Sequence, residues 1–430
     1  MFKIKTVTLY TFIIPLFVFS LAIAFPGCKS NPLQSVELEF WGVYDDSDVF
    51  NELITDFNKE FPTIKIKYYK KVYKTYEKDL LETMASGRGP DIFMIHHNWV
   101  PRYDNKIWAA PSDLVLLKYV QDNFVDVVYD DFVVDNSVVA LPLSVDTLAL
   151  YYNKDIFNTV GISRPPETWD EFLNILDKLI IKDDRDNIIR AGAALGTARN
   201  INRSTDILSL LMLQSGTQML NDKKTKVTFD DPVKLDGENF YPGERVLEFY
   251  TDFSNPLKTS YTWNTRMYYS IDAFYEGTAA MMFNYSYHLP TIRAKSPYFN
   301  FGVAKMPQID GSEKNVDYAN YWGMTVSKNS NNSREAWEFI NWLTQKESSQ
   351  KYLEKTKKPT ARRDLIAWQK NDPDVGIFAE QSLSAQSWYQ IDNLSIENIL
   401  ANMIESIVLG EETIDEAIDK SVKQINLLMN

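Results

Sequence analysis

The chain has 430 residues, of which 45% are hydrophobic and 24% charged, a globular composition with room for two or three domains. Its formal net charge is -13, and the lysines and arginines are scattered among acidic residues rather than clustered. This distribution excludes nucleic acid as an expected partner, because phosphate binding requires a basic patch.

The first 27 residues read as an export signal. A basic start precedes the apolar run 6–25, which is followed by Gly27 and by Cys28, the only cysteine of the chain. A cysteine in this place resembles the lipobox of bacterial lipoproteins, so we expect a lipoprotein signal peptide at 1–27, lipidation at Cys28 and a spacer at 28–35. The alternatives are an uncleaved membrane anchor and simple secretion. All three place the rest of the chain outside the cytoplasm.

After the spacer, predicted strands alternate with predicted helices. The order is a strand at VELEFW, an amphipathic helix over SDVFNELITDFNKEF with an N-cap among residues 46–48, and a strand at TIKIKYY. A helix at about 73–85, the turn SGRGP and a buried strand at DIFMI follow. This order predicts an α/β protein with mostly parallel sheets, which bind ligands beyond the carboxyl ends of their strands.

The same alternation continues to the end of the chain. A strand-rich stretch at LPLSVDTLALYYNKDIF precedes a helix that begins with a capping box formed by Thr168 and Glu171. Later, WGMTVSK predicts a strand, and Ser333 is expected to cap a further helix. No internal repeat or low-complexity linker is present. Three tryptophans on predicted helices are expected to pack in the core: Trp169, Trp337 and Trp342.

Sequence motifs of common enzymes and cofactor sites are absent. The chain has no P-loop, dinucleotide-binding glycine motif, zinc-protease motif or nucleophile elbow. The three histidines, His96, His97 and His288, each follow a predicted strand, but no carboxylate lies at a recognisable ligand spacing. No acidic pair is marked for glycoside hydrolysis. We therefore expect neither catalysis nor a metal or cofactor.

Several segments in a fixed order resemble one known family. They are GRGPDIFMI, the stretch LPLSVDTLALYYNKDIFNTVGISRPPETWDEF, then FYEGTAAMMFNYSY, YWGMTVSKNS with REAWEFINWLTQ, and KPTARRD. Together they resemble extracellular solute-binding protein family 1, the maltose-binding-protein-like receptors of sugar ABC importers. The resemblance covers nearly the whole mature chain.

The resemblance implies a two-lobed, periplasmic-binding-protein-like fold of type II. Each lobe is then a sheet flanked by helices, the ligand lies in a cleft between the lobes, and binding drives closure of a hinge. Carried onto this sequence, lobe one comprises 36–144 and 316–358, and lobe two comprises 147–315 and 359–430.

The resemblance also implies a set of ligand-binding residues. Sugar rings present flat C–H faces and a belt of hydroxyls, so their sites combine aromatic side chains with hydrogen-bonding groups. Tyr287 takes the place of a stacking aromatic of the family, and Arg199 and Asn200 are weaker candidates. The full expected set is Trp41, Asp45, Asp46, Asn98, Trp99, Asp146, Tyr285, Tyr287, Trp322, Trp388 and Tyr389.

The first hypothesis is thus a monomeric, lipid-anchored transport receptor for a mono- or oligosaccharide, which delivers its ligand to ABC permease subunits. The second is a secreted carbohydrate-active enzyme with the same aromatic-rich cleft. The third is a receptor for a non-sugar solute such as a polyamine. The scarcity of arginine near the expected cleft makes an anionic ligand the least favoured.

Overall fold

The computed structural model describes residues 3, 6, 35–235 and 237–429. The predicted lipidation site, Cys28, and nearly all of the predicted signal peptide 1–27 lie outside the described residues. Within the described residues, no helix is both long enough and apolar enough to cross a membrane.

The first third of the described chain alternates strands and helices. In chain order the elements are β1 (Val36–Gly42), α1 (Ser47–Glu60), β2 (Ile64–Lys70), α2 (Tyr73–Ala85), β3 (Ile92–His96), a 3-10 turn at His97–Trp99, α3 (Val100–Tyr103), a 3-10 turn at Asp104–Lys106, β4 (Ile107–Trp108), α4 (Leu117–Asn123), α5 (Asp126–Phe132), β5 (Val133–Val134), β6 (Ser137–Val138) and β7 (Leu141–Pro142).

The middle of the chain is richer in helices. It contains β8 (Asp146–Thr147), β9 (Ala149–Asn153), α6 (Lys154–Thr159), α7 (Trp169–Leu179), β10 (Ile181–Lys182), β11 (Ile188–Arg190), α8 (Ser204–Gln214), β12 (Val233–Leu235), β13 (Glu238–Phe240), α9 (Pro242–Asp252), α10 (Ser270–Tyr275), β14 (Met281–Asn284), a 3-10 turn at Ser286–His288, α11 (Leu289–Lys295) and β15 (Phe301–Ala304).

The last third is mostly helical after two strands. It contains β16 (Asp317–Asn320), β17 (Trp322–Ser327), α12 (Ser333–Leu343), α13 (Lys346–Thr356), α14 (Arg363–Gln369), α15 (Gly376–Gln381), β18 (Ala385–Gln386), α16 (Asn393–Val408) and α17 (Ile414–Met429).

The fold is the α/β class that the sequence predicts, with sheets of mixed direction. The larger sheet has the order β2-β1-β3-β17-β4, with β7 paired to β17. Strands β1, β2 and β3 are parallel, whereas β17 is antiparallel to β3. The second sheet, β14-β9-β15, is antiparallel throughout. The sheets are therefore not mostly parallel as expected, because β17 and β9 each run against their neighbours.

The buried apolar residues form two separate cores. One core draws on 38–145 and on 319–366, with Ala385, and the other on 148–306 and on 378–425, with Tyr318. We call the chain around the first core lobe one and the chain around the second core lobe two. The expected lobe boundaries stay a prediction. Of the residues expected in lobe two, Ala361, Leu365, Ile366 and Ala385 pack in the first core, and Tyr318, expected in lobe one, packs in the second.

A short sheet joins the two lobes. Strand β16 pairs with β8 on one side and with β18 on the other. Both β8 and β16 pass from one core to the other, since their neighbours along the chain are buried in different cores. This sheet therefore lies where the chain crosses between the lobes.

Local sequence signals account for many element boundaries. Helix α2 begins and ends at the predicted residues. At α7 the hydroxyl of Thr168 accepts a hydrogen bond from the amide of Glu171 at 3.2 Å, which is half of the predicted capping box. Trp169 and Trp337 are buried on their helices, and Trp342 packs against Phe57 with ring centroids 5.5 Å apart.

Candidate functional site

Three strands of the larger sheet place side chains at one edge of lobe one. Strand β1 ends at Gly42, shortly before Tyr44, and β3 ends at His96, shortly before Trp99. Strand β17 starts at this edge, because Trp322 is paired with His96 in the register of the sheet. The edge faces lobe two.

Five aromatic side chains at this edge form a continuous aromatic wall. The ring centroids of Trp99 and Trp322 are 5.0 Å apart, and those of Trp322 and Tyr44 are 5.7 Å apart. Tyr76 stacks on Trp99 at 6.2 Å, and Tyr73 lies 5.6 Å from Tyr44. Tyr76 is fully buried and Tyr44 and Tyr73 are exposed, so the wall runs from the core of lobe one towards solvent.

Lobe two presents a tyrosine and an arginine to this region. Nε of Arg203 donates a hydrogen bond to the hydroxyl of Tyr287 at 3.0 Å, and its guanidinium lies 3.9 Å from the carboxylate of Asp206. Asp206 also accepts a hydrogen bond of 2.7 Å from the hydroxyl of Tyr285. The rings of Tyr285 and Tyr287 are stacked with centroids 5.7 Å apart. Tyr287 remains 45% exposed, so part of its side chain is accessible to a ligand.

Arg203 has a left-handed backbone, with φ of 61°, immediately before α8. A non-glycine residue in this region carries a conformational cost that is typically concentrated at functional sites. The guanidinium and the tyrosine hydroxyl belong to one hydrogen-bonded unit.

Asp146, in the crossing strand β8, positions the tyrosine segment. Its carboxylate accepts hydrogen bonds from the amide of Ser286 at 3.1 Å and from the hydroxyl of Ser286 at 2.7 Å. Burial raises the pKa of Asp146 to about 6, and the hydrogen bonds from Ser286 oppose that shift. Asp146 thus connects the crossing strand to the turn that carries Tyr287.

Electrostatic effects connect the two groups of side chains. Burial is the main cause of the raised pKa of Tyr44, and the charge of Arg203 lowers that pKa in turn. Arg203 also lowers the pKa of His96, after the larger effects of burial and of His97. Charges act in this way only over short distances. We call the space between the aromatic wall and the pair Arg203 and Tyr287 the aromatic cleft.

A cavity of about 1240 Å³ lies beside the aromatic cleft, also between the lobes. We call it the acidic cavity, because its lining contains seven acidic residues, Asp104, Asp126, Asp130, Asp131, Asp135, Glu313 and Glu380, and two lysines, Lys224 and Lys314. His96 faces the cleft and His97 lines the cavity, and their rings are 4.5 Å apart. The two spaces are therefore close neighbours.

The acidic cavity contains three of the predicted ligand residues. Asn98, Trp388 and Tyr389 all line it. Trp388 is buried in the second core and donates its indole N–H to the hydroxyl of Ser209 at 3.2 Å. The ring of Tyr389 lies 5.9 Å from Nζ of Lys224. The structure thus divides the predicted residues between two spaces, with Trp99, Asp146, Tyr285, Tyr287 and Trp322 at the aromatic cleft.

Three predicted ligand residues near the end of β1 have partners within lobe one. Trp41 is buried, and Nζ of Lys71 lies 3.5 Å from its ring. Asp45 is 7% exposed and is bound by Lys358 at 2.6 Å and by the hydroxyl of Tyr352 at 2.7 Å. Asp46 pairs with Lys70 at 2.7 Å. These contacts favour structural roles for all three side chains.

The segment TARNINRS contributes a different residue from those expected. The side chain of Arg199 bonds to Asn398 and Asn402 on α16, and Asn200 bonds to backbone oxygens of Asn264 and Met267. Arg203, which the sequence analysis did not single out, is the arginine of the cleft. Arginine was expected to be scarce at the cleft, and Arg203 is one arginine that lies there. Arg203 immediately precedes α8, a helix that was not predicted, so no local sequence signal identified it.

The three histidines do not form a metal site. No group of three histidine, cysteine or carboxylate side chains is suitably placed to hold a metal ion in the part of the chain that the structure describes. His97 stacks on Tyr321 with ring centroids 4.9 Å apart, and His288 lies against Tyr287 at 4.4 Å. Burial lowers the pKa of His288 to about 4, with a smaller contribution from Arg203.

Comparison with known proteins identifies relatives along most of the chain. A putative binding protein of Brucella abortus is 23% identical over 394 residues, which cover 88% of this chain and 89% of that protein. The multiple sugar-binding protein of Streptococcus mutans is 23% identical, with 80% of both chains covered. The structure is similar to that of the cyclic alpha-maltosyl-1,6-maltose binding protein from Arthrobacter globiformis. The TM-score is 0.76 and the identity 20%, with 92% of this chain and 99% of that chain covered.

The sequence model of a whole family matches as well. The description of that family is bacterial extracellular solute-binding protein, and the match spans residues 44–350, more than half of the chain. The expected resemblance is thereby confirmed, together with the expectation of a binding protein rather than an enzyme. The chain belongs to the bacterial extracellular solute-binding protein family, the substrate-binding proteins of ABC importers.

Proposed function

We propose that the protein is the extracytoplasmic receptor of an ABC importer for a mono- or oligosaccharide, and that the sugar binds in the aromatic cleft. The observation that carries this proposal is that aromatic side chains of both lobes adjoin the crossing sheet. Trp322 of the aromatic wall follows β16 by two residues, and Tyr287, the partner of Arg203, follows Ser286, which bonds to Asp146 of β8. A ligand between Trp322 and Tyr287 contacts both lobes at once. Such a ligand stabilises the closed arrangement of the lobes, because it binds that arrangement more tightly than the open one.

The chemistry of the cleft suits a sugar. The rings of Trp322 and Tyr287 offer apolar faces to the C–H side of a pyranose. The guanidinium of Arg203 supplies donors for ring hydroxyls, and Asp206 supplies acceptors beside it. The names of the Streptococcus mutans and Arthrobacter globiformis relatives are those of sugar-binding proteins, which supports the same ligand class.

The proposed role also includes attachment of the receptor to the membrane and delivery of its ligand to the permease. Lipidation of Cys28 anchors the receptor to the outer face of the membrane, and the permease subunits recognise the closed form. The receptor acts as a monomer and without a cofactor. The resemblance of residues 1–28 to a lipoprotein signal and the membership of the chain in its family support this arrangement.

A cationic solute such as a polyamine is the second candidate, and the acidic cavity favours it. Seven of its lining residues are acidic and two are lysines, so the potential inside the cavity attracts cations. Burial raises the pKa of Asp130, and the neighbouring charge of Asp131 raises it further, as expected where carboxylates are close together. With a cationic ligand in this cavity, the protein would still be a receptor, but for a different class of ligand.

A thermal-shift screen tests the ligand class. The protein from Ser30 onward is heated with monosaccharides, oligosaccharides, polyamines and amino acids. A ligand present at a hundred times its Kd stabilises the folded state by about 2.7 kcal/mol, which raises the Tm measurably. We expect one class of sugar to raise the Tm, and the Tyr287→Ala variant to lose that increase. An increase with polyamines alone would reject the sugar proposal.

A further inference from the structure

Two tyrosines extend the aromatic wall beyond the cleft to its mouth. Tyr44 is 46% exposed and Tyr73 is 56% exposed, although both are large aromatic side chains. Their ring centroids are 5.6 Å apart with an angle of 31° between the planes. An exposed aromatic patch that is continuous with a binding cleft indicates contact with a ligand.

The face of α2 that carries Tyr73 is directed towards lobe two. Glu77 lies four residues after Tyr73 on the same helix, so the two side chains share one face of α2. Burial raises the pKa of Glu77, and the negative charge of Asp392, which belongs to lobe two, raises it further. The side of α2 that carries Tyr73 therefore interacts electrostatically with lobe two.

Tyr44 borders the same space from the loop that follows β1. Burial is the main cause of the raised pKa of Tyr44. Two residues of lobe two have smaller effects, since the charge of Arg203 lowers this pKa and the hydroxyl of Tyr287 raises it. Tyr44 also lies edge-on to Trp322, so its ring is the link between the inner part of the wall and Tyr73. The mouth of the cleft therefore has a pair of tyrosine rings on one side and the Arg203 and Tyr287 pair on the other.

We propose that Tyr44 and Tyr73 form an outer subsite for a second sugar ring, so that the ligand is an oligosaccharide and not a monosaccharide. This inference rests on the proposed function. The first ring binds between Trp322 and Tyr287, and the next ring leaves the cleft along the faces of Tyr44 and Tyr73. The hydroxyls of these two tyrosines are available to donate to or accept from the hydroxyls of that second ring.

The dependence of affinity on ligand length tests the outer subsite. Calorimetric titration measures Kd for each monosaccharide and for its di-, tri- and tetrasaccharide in the malto, cello, xylo, manno and galacto series. We expect affinity to rise at least tenfold from one ring to two or three in the series that binds. Tyr73→Ala should lose about tenfold for the oligosaccharides and stay within twofold of the wild type for the monosaccharide. Tyr73→Phe should retain most of the affinity.

Two further variants distinguish the outcomes. Tyr298→Ala, at a fully exposed tyrosine of lobe two, is the matched control and should behave as the wild type. Tyr389→Ala changes the acidic cavity instead of the mouth. Three results overturn the outer subsite while leaving the sugar receptor intact: monosaccharide affinity equal to that of the oligosaccharides, equal loss at every length in Tyr73→Ala, or a gain with length that only Tyr389→Ala removes. Failure of every sugar to bind overturns the proposed function itself.

Discussion

Nε of Arg203 donates a hydrogen bond to the hydroxyl of Tyr287 at 3.0 Å, and this contact joins the charge of the cleft to its stacking ring. The two residues are 84 positions apart in the chain, one before α8 and the other after β14. The bond restricts the Tyr287 side chain in the absence of a ligand. A preorganised site loses less conformational entropy on binding, which favours affinity.

Replacing Arg203 should weaken binding more than folding. A hydrogen bond from a charged group contributes about 1.5–3 kcal/mol, and 1.4 kcal/mol corresponds to a tenfold change in Kd. We therefore expect Arg203→Met to raise the Kd for the preferred sugar by about tenfold or more in calorimetric titration. Arg245→Met is the control, because Arg245 pairs with Glu248 on an exposed face of α9 at 3.1 Å. Equal effects of the two variants would contradict the assigned role of Arg203.

Local patterns predict the elements of this fold well where their determinants are close in sequence. Helix α2 matches its predicted bounds, whereas α12 begins one residue earlier than expected, because Asn332 and not Ser333 occupies the N-cap position. The direction of β17 could not be predicted from local patterns, since it depends on how the chain enters lobe one from the crossing strand β16. No short-range pattern in WGMTVSK encodes that direction, which is why the mixed sheet was not anticipated.

The site was predictable in part, for a similar reason. Tyr287 and Trp322 were proposed because they lie in segments that resemble the family, next to recognisable strands. Asp45 has the same kind of position, yet its partners Tyr352 and Lys358 are more than 300 residues away in the chain. Arg203 has no motif, and only tertiary structure brings it to Tyr287. Long-range contacts therefore decide which strand-end residues face a ligand.

Removing the partner of Asp45 should destabilise lobe one. Asp45 is buried, and Nζ of Lys358 lies 2.6 Å from its carboxylate. Lys358→Met leaves a buried carboxylate with only neutral partners, which costs about 3 kcal/mol when one member of a buried pair is lost. Urea denaturation should show a fall of this size in the free energy of unfolding.

A surface ion pair provides the comparison for Lys358→Met. Lys59 pairs with Asp56 at 2.7 Å, and its side chain is 71% exposed. Lys59→Met should change the free energy of unfolding by less than about 1 kcal/mol, since exposed pairs contribute little. If both variants had the same stability as the wild type, the buried pair would have no stabilising role.

The stability of the protein should depend on pH through Asp317 in β16. Burial raises the pKa of Asp317 to about 7, and the hydroxyl of Ser384 donates a hydrogen bond of 2.6 Å that opposes the shift. An unfolded aspartate has a pKa of about 3.9. Between about pH 4 and about pH 7 the unfolded chain has lost this proton and the folded chain retains it. The free energy of unfolding therefore falls as the pH rises through this range.

The Asp317→Asn variant separates this effect from the titration of other groups. It has no proton to lose at this position, so its free energy of unfolding should fall less steeply than that of the wild type between about pH 4 and about pH 7. Asp310→Asn, at an exposed aspartate, should retain the wild-type slope. Identical slopes for Asp317→Asn and the wild type, measured by denaturation at several pH values, would exclude Asp317 as the source.

The most direct test of ligand binding in the aromatic cleft is calorimetric titration of the preferred ligand with a matched pair of tryptophan variants. Trp322 belongs to the aromatic wall, whereas Trp108 is 41% exposed on β4 and lies under Nζ of Lys328 at 4.0 Å. Loss of a stacking ring should raise the Kd of Trp322→Ala at least tenfold, while Trp108→Ala stays within twofold of the wild type. Wild-type affinity in Trp322→Ala would show that the ligand binds elsewhere than in the aromatic cleft.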